Sequence, residues 1–313
     1  MEQQLFQNFI TVGTQVLELF ILIALGFLCG KTKMLNDTAV KSITDIVLYI
    51  VCPCVIVQNF IRPFDTAMLQ GLLTAAAAAL LIHILSIVIA MLLFHDKVPE
   101  RNRVYRFALI FSNCGYMSLP MQQAILGADG VFFGAVYIVI FNVVMWTFGV
   151  WLSGGEKGSL SAKKIILNPC IIGMAVGLVI FLLSVPIPEI ISKPITFMAN
   201  LNTPLPMMVV GYYLSKAKIT DAFKDGKGFI CVLLRLVAIP LLTFGSMMLA
   251  GIRGTVLITC VIAASAPAAA ATTMFAAKFE NDTELSVNLV TLSTLISVIT
   301  MPLIVGFAQT AGG

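Results

Sequence analysis

Two short stretches hold the residues whose types and spacing point to chemistry. Ser112, Asn113, Cys114, Gly115, Tyr116, Met117, Ser118, Leu119 and Pro120 follow one another in the middle of an apolar run. Ala264, Ser265, Ala266 and Pro267 interrupt a second run. Proline has no N–H and its ring crowds the preceding turn, so carbonyls near Tyr116 lose helical partners. Each stretch therefore reads as a broken helix whose freed backbone faces a cavity. The half-helices that start after Pro120 and Pro267 are expected to point their N-termini into that cavity. Each tip carries roughly half a positive unit charge. Unpaired amides there can hold a carboxylate without a fixed cation. Asn113 can donate through its amide and Ser265 through its hydroxyl, and Tyr116 can donate its phenol or stack. The competing reading is a kink that serves helix packing only.

A second pair of interruptions is Cys52-Pro53-Cys54 and the group Asn202, Thr203, Pro204, Leu205, Pro206. A proline kink alone would explain the first; Asn202 and Thr203 either line the cavity from the facing side or belong to another kink. The substrate-binding candidates are thus Asn113, Gly115, Tyr116, Pro120, Ser265, Pro267, Asn202 and Thr203. Three ionisable groups within apolar runs are candidates for coupling or charge pairing. His83 reads as an interhelical hydrogen bond or a proton relay. Arg235 reads as a side chain that snorkels to water or as a counter-charge for an anion. Glu18 reads as a neutral carboxyl or a proton-coupling site. Asn142 is expected to bond a neighbouring helix.

The elements that must position these residues are membrane helices. Of 313 residues, 59% are hydrophobic and 11% charged, and mean hydropathy is +1.00, outside the range of soluble domains. Ten apolar segments of about 20 residues can be counted: 12–30, 38–60, 68–94, 106–126, 131–152, 165–184, 190–214, 229–251, 256–278 and 284–307. Glu2 and the lack of Lys or Arg before the first run oppose a cleaved signal peptide. The connections numbered odd carry fifteen Lys and Arg and the even ones three. By the positive-inside rule the odd connections are cytoplasmic and both termini extracytoplasmic. No basic stripe with aromatics suggests nucleic acid. The seven cysteines lie in or beside apolar runs and only two histidines exist, so no metal site or cofactor is expected. Prenyl-transfer and aspartyl-protease chemistry would need aspartates at membrane depth, which the spans lack. No enzyme is expected.

The chain divides into five segments over 1–152, a cytoplasmic linker 153–164, and five segments over 165–313. Five is odd, so the second half enters from the opposite side. Pro53 and Pro204 lie 151 residues apart, Pro120 and Pro267 147, and Asp129 and Asp282 153. The expected fold is all-α and polytopic: ten transmembrane helices in two inverted five-helix repeats, with helices four and nine crossing at their breaks.

At these residues the chain resembles the auxin efflux carrier family of membrane transporters in its short prokaryotic form, within the bile acid, auxin and arsenite type of transporters. The likeness runs over the whole chain and rests on 113–120, on 267–275 and on the tail 285–302. It is also similar to the plant PIN-FORMED carriers, whose fourth span sets Asn seven residues before Pro, as Asn113 and Pro120 do here. Their Gln after the ninth-span proline and their second proline are replaced by Ala268 and Thr272, and their long hydrophilic loop is absent. The resemblance implies that Asn113 contacts a substrate carboxylate and that the substrate is a small organic anion, malate- or malonate-like or auxin-like, with the Ala268 and Thr272 replacements weighing against an indole acid. It implies a homodimer in the cell membrane. It also implies a scaffold of helices 1, 2, 6 and 7 and a mobile body of helices 3–5 and 8–10 that carries the crossing across the bilayer. The coupling ion, proton or sodium, is left open. So are two alternatives: a coupled symporter or antiporter of related fold for another solute, and a substrate sensor without flux.

Overall fold

A computed structural model describes residues 2–154, 166–216 and 225–312; most of the linker 153–164 lies outside these. The described residues are mostly helical and form no strand, only one isolated bridge between Ser112 and Ala268. Among the described residues, five helical stretches are long and apolar enough to cross a membrane: Asp37–Phe60, Thr66–Leu93, Cys114–Gly154, Gly226–Leu249 and Thr283–Gly312. Shorter apolar helices, Pro169–Leu182 and Gly254–Ser265, pack among them. The fold is that of a polytopic helical membrane protein.

In chain order, α1 is Glu2–Lys31, longer than the apolar run 12–30 that marks it. α2 (Asp37–Ile46) continues through a π turn (Val47–Val51) into α3 (Cys52–Phe60). α4 (Thr66–Leu93) is capped by the Asp65 carboxylate, which accepts from the amides of Ala67 and Met68. α5 (Pro99–Ile110) is followed by a π turn (Cys114–Ser118) and α6 (Leu119–Val144), which runs through a third π turn (Met145–Gly149) into α7 (Val150–Gly154). α8 is Pro169–Leu182 and α9 is Glu189–Ala199. A 3-10 turn (Asn200–Asn202) then leads to α10, Pro204–Lys216. α11 (Gly226–Leu233) passes through a fourth π turn (Leu234–Ala238) into α12, Ile239–Leu249. α13 (Gly254–Ser265), α14 (Ala271–Lys278) and α15 (Thr283–Gly312) close the chain.

Three of the four π turns share a cause. Pro53, Pro120 and Pro240 each stand two residues past the end of one. A proline ring clashes with the carbonyl four residues back, here those of Tyr49, Tyr116 and Leu236, each in the middle of its π turn. Widening the turn relieves the clash and lets the helix continue.

Gly127 turns the long stretch 114–154 back on itself, at φ 64° and ψ −151°. L-residues with side chains avoid that region. The two arms then touch: a Cβ on Gly134 would lie 2.0 Å from Gln122 Oε1 and would displace that side chain.

Polar contacts sort the connections into groups. Arg101 pairs with Asp225 at 3.3 Å and with Asp282 at 3.2 Å, and Lys227 pairs with Asp96 at 2.8 Å. Asn281 Nδ2 donates to the Ser153 carbonyl at 2.9 Å. Lys216 pairs with Asp37 at 2.6 Å. Elsewhere Arg62 pairs with Asp129 at 2.6 Å, and the Phe64 amide donates to Ser184 Oγ at 2.8 Å. A cavity of about 660 Å³ opens beside this second group, lined by Gln58, Asn59, Arg62, Gln123 and Asp129.

Candidate functional site

The two interrupted stretches meet. α5 ends at Ile110, and Phe111 (φ −100°, ψ 109°) is extended. α13 ends at Ser265, and Ala266 (φ −63°, ψ 149°) is extended, the conformation a following proline imposes. The extended residues run antiparallel. The Asn113 amide donates to the Pro267 carbonyl at 2.7 Å, and the Ala269 amide donates to the Phe111 carbonyl at 2.9 Å. The Ala268 amide donates to Ser293 Oγ of α15 at 3.1 Å. Backbone torn from two helices is thus paired across the chain's two halves, which satisfies groups that would otherwise be stranded in an apolar interior.

The crossing corrects the expected starting points. The second half-helix of the first break begins at Cys114, not after Pro120, and Pro120 sits inside it behind the π turn. The chain opens where Phe111 to Asn113 leave the helical region. Pro267 does stand at its break, but helix resumes only at Ala271. The amides of Cys114, Gly115 and Tyr116 are first-turn groups with no helical carbonyl four residues back. Met117 is the first to bond within the turn, to the Asn113 carbonyl at 3.0 Å. A Cβ on Gly115 would meet nothing within 4 Å, so open space adjoins these amides.

The remaining candidates fall in different places. Asn113 is buried at the bridge. Tyr116 packs beside Met117, Met121 and Met207, which brings α10 against the 114–118 turn. Ser265 Oγ donates to the Val261 carbonyl of its own helix at 2.6 Å, so its hydroxyl is not the free donor expected. Asn202 is buried, in the 3-10 turn that packs on the 47–51 π turn, and Thr203 precedes Pro204. These breaks of the second pair thus pack on one another, without the backbone hydrogen bonds that join the first pair.

Arg235 neither snorkels nor reaches solvent. It is 2% exposed, donating from Nη1 to the Leu109 carbonyl at 3.0 Å and from Nη2 to the Ala264 carbonyl. His83 is buried among Phe111, Tyr137 and Phe141. Its Nδ1 lies 2.7 Å from the Ala79 carbonyl of its own helix, where an interhelical bond was expected. Glu18 lies on the exposed face of α1. Asn142 Oδ1 accepts from Nδ2 of Asn168, the residue that caps α8, at 3.2 Å, the neighbouring-helix contact expected of it.

Sequence reasoning missed several residues that hold the crossing. Ser293 receives the Ala268 amide. Gln122 Nε2 donates to the Thr259 carbonyl at 3.0 Å and joins α6 to α13. Gln122 was legible, being a polar side chain in an apolar run two residues past Pro120. Ser293, one hydroxyl among several in α15, was not. Ser112 Oγ and Thr272 Oγ1 are buried at the crossing without a hydrogen-bond partner.

Apolar helices at membrane length, with two breaks paired in the interior, define a polytopic membrane protein built around a discontinuous-helix site. The chain belongs to the auxin efflux carrier family: residues 11–305 match the family described as membrane transport protein. It is 22% identical over 292 residues to an uncharacterized transporter of Methanothermobacter thermautotrophicus, covering 92% of this chain and 95% of the relative. It is 23% identical over 300 residues to an uncharacterized transporter of Methanocaldococcus jannaschii, covering 92% and 96%. The chain is therefore an integral membrane transport protein and not an enzyme.

Proposed function

We propose that the chain is a secondary transporter for a small organic anion, a mono- or dicarboxylate of the malate or malonate kind. It holds the anion at the crossing of its two broken helices. The observation that carries this reading is the Ser112–Ala268 bridge. It sets the tips of two interrupted helices in one place, with the first-turn amides of Cys114 to Tyr116, which have no helical carbonyl to bond, beside open space. Amide dipoles in a dry site attract negative charge strongly. Asn113 adds a side-chain donor at the bridge.

The helices support a count of ten spans: α1; α2–α3; α4; α5 with 114–126; 128–154; α8; α9–α10; α11–α12; α13–α14; and α15. In that count Arg101, Asp225, Asp282, Asn281, Ser153, Asp96, Lys227, Asp37 and Lys216 all fall at odd connections or their edges. Arg62, Asp129 and Ser184 fall at even ones. The contacts among them agree with odd connections on the cytoplasmic side and both termini outside. Two inverted repeats of five spans place α4 to α7 and α11 to α15 in a body that carries the crossing. The spans α1, α2–α3, α8 and α9–α10 serve as scaffold, and movement of one against the other alternates access. Two copies pair through the scaffold in the cell membrane. A proton or sodium ion is the candidate coupling ion.

The test is uptake of labelled malonate by the purified chain in liposomes. A hydrogen bond to a charged group contributes about 1.5–3 kcal/mol. Asn113→Ala is therefore expected to cut uptake roughly tenfold or more at unchanged folded yield. Unchanged uptake would remove Asn113 from the site. Saturable binding without flux in the parent protein would favour a sensor.

A further inference from the structure

We infer that Arg235 is the positioning residue of the crossing: its guanidinium clamps the carbonyl ends of both first half-helices and so fixes the distance between the two amide tips. Leu109 is the next-to-last residue of α5 and Ala264 the next-to-last of α13. Arg235 donates one Nη to each carbonyl, so a single side chain touches equivalent atoms of the chain's two halves. These carbonyls lie at helix C-termini, where the dipole end is negative. A guanidinium suits them because its planar fork presents separate N–H groups to acceptors on two elements. An ammonium on a flexible stem concentrates its charge at one point and does not fix that spacing.

The turn that bears Arg235 is itself shaped for this. It is the 234–238 π turn, widened ahead of Pro240, and such turns often occur at functional sites. Among the described residues no carboxylate is buried, so Arg235 is held by carbonyl dipoles and not by an ion pair. Its Nε is buried without a partner. Retaining an uncompensated buried charge is expensive, and the two half-helix ends supply the compensation.

The effect on substrate rests on the transport reading above; the clamp itself does not. The test uses the full chain with Arg235→Lys and Arg235→Met, reading hydrogen exchange of 109–114 and 264–269 and malonate uptake in liposomes. Loss of the clamp is expected to raise exchange about tenfold or more in both segments together, though 155 residues separate Leu109 from Ala264. KM is expected to rise roughly tenfold in both variants with Vmax changed less than about threefold. Unaltered exchange in either segment overturns the clamp. So does a Lys variant with parental KM beside a Met variant without it, because charge alone would then suffice. If neither variant folds, the parent protein labelled with 15N in its arginine guanidinium groups decides. One arginine should keep its Nη protons for hours, and complete rapid exchange of all of them overturns the proposal. If the parent protein moves no malonate, the substrate reading fails while the exchange arm still tests the clamp.

Discussion

The break at Phe111 to Asn113 and the break at Pro53 differ in kind, although both looked alike as prolines in apolar runs. Around Pro53 the backbone never leaves the helical region: Ile46 (φ −58°, ψ −45°) and Cys52 (φ −59°, ψ −48°) flank a π turn, and the helix goes on. At the crossing, Phe111 and Ala266 are extended, Asn113 (φ −77°, ψ 49°) is not helical, and backbone groups bond to another part of the chain. A proline alone widens a helix. Opening one at membrane depth strands backbone groups that need other partners, supplied here by a second opened segment and by Ser293. The crossing therefore has to be made as a pair, and the Pro53 kink does not.

The hardest strike at this contrast is Ala269→Pro. It deletes the N–H that bonds the Phe111 carbonyl and leaves that carbonyl stranded. The loss is expected to reach about 3 kcal/mol or more, from the ring's steric demand and an unmet acceptor together. Folded yield in detergent should collapse, which a thermal melt of the purified chain measures. A variant that melts with the parent protein would show that the bridge does not hold the crossing.

The gentler strike is Pro53→Ala. Here the N–H is restored, the clash with the Tyr49 carbonyl is removed, and a helix already present can tighten. The expected change is within about 1 kcal/mol, in either direction, because helix propensity gained is set against neighbours packed around the wider turn. A fall in melting temperature as large as that of Ala269→Pro would erase the distinction between the two breaks.

Much of the architecture could be read in advance because it follows from strong signals. Apolar length marks helices, and the clustering of Asn113, Gly115 and Pro120 marks a break. The convergence of Arg101 on Asp225 and Asp282 was not legible, because residues so far apart in the chain are brought together only by the packing of the helices. The finer register could not be read. Nothing local says that the helix opens at Phe111 instead of Pro120, because the opening is decided by the acceptor at Pro267 some 150 residues away. Ser265 misled for a related reason. A hydroxyl in a helix can bond the carbonyl four residues back, and in a dry interior that option is always present. Arg235 was ambiguous because its partners are carbonyls, which every residue has.

The smallest effect separates the crossing from the ion pairs around it. The crossing is held by backbone amides, the Ser293 hydroxyl, the Gln122 amide and one arginine, none of which changes charge in the acid range. Asp96, in the connection before α5, accepts from Lys227 Nζ at 2.8 Å. That hydrogen bond holds its carboxyl below the usual value of 3.8, helped by the Val98 amide. A depressed folded value means the stabilisation is present above the unfolded value and is lost as pH falls through the folded one. Melting temperature should therefore be flat from neutral pH down to about 4 and decline below it. Asp96→Asn should flatten that decline slightly while leaving the neutral plateau nearly in place. Hydrogen exchange at 109–114 should stay slow through the same acid range. If the crossing loosened in step with the Asp96 titration, the two regions would form one cooperative unit instead of a pH-indifferent centre inside a titrating rim.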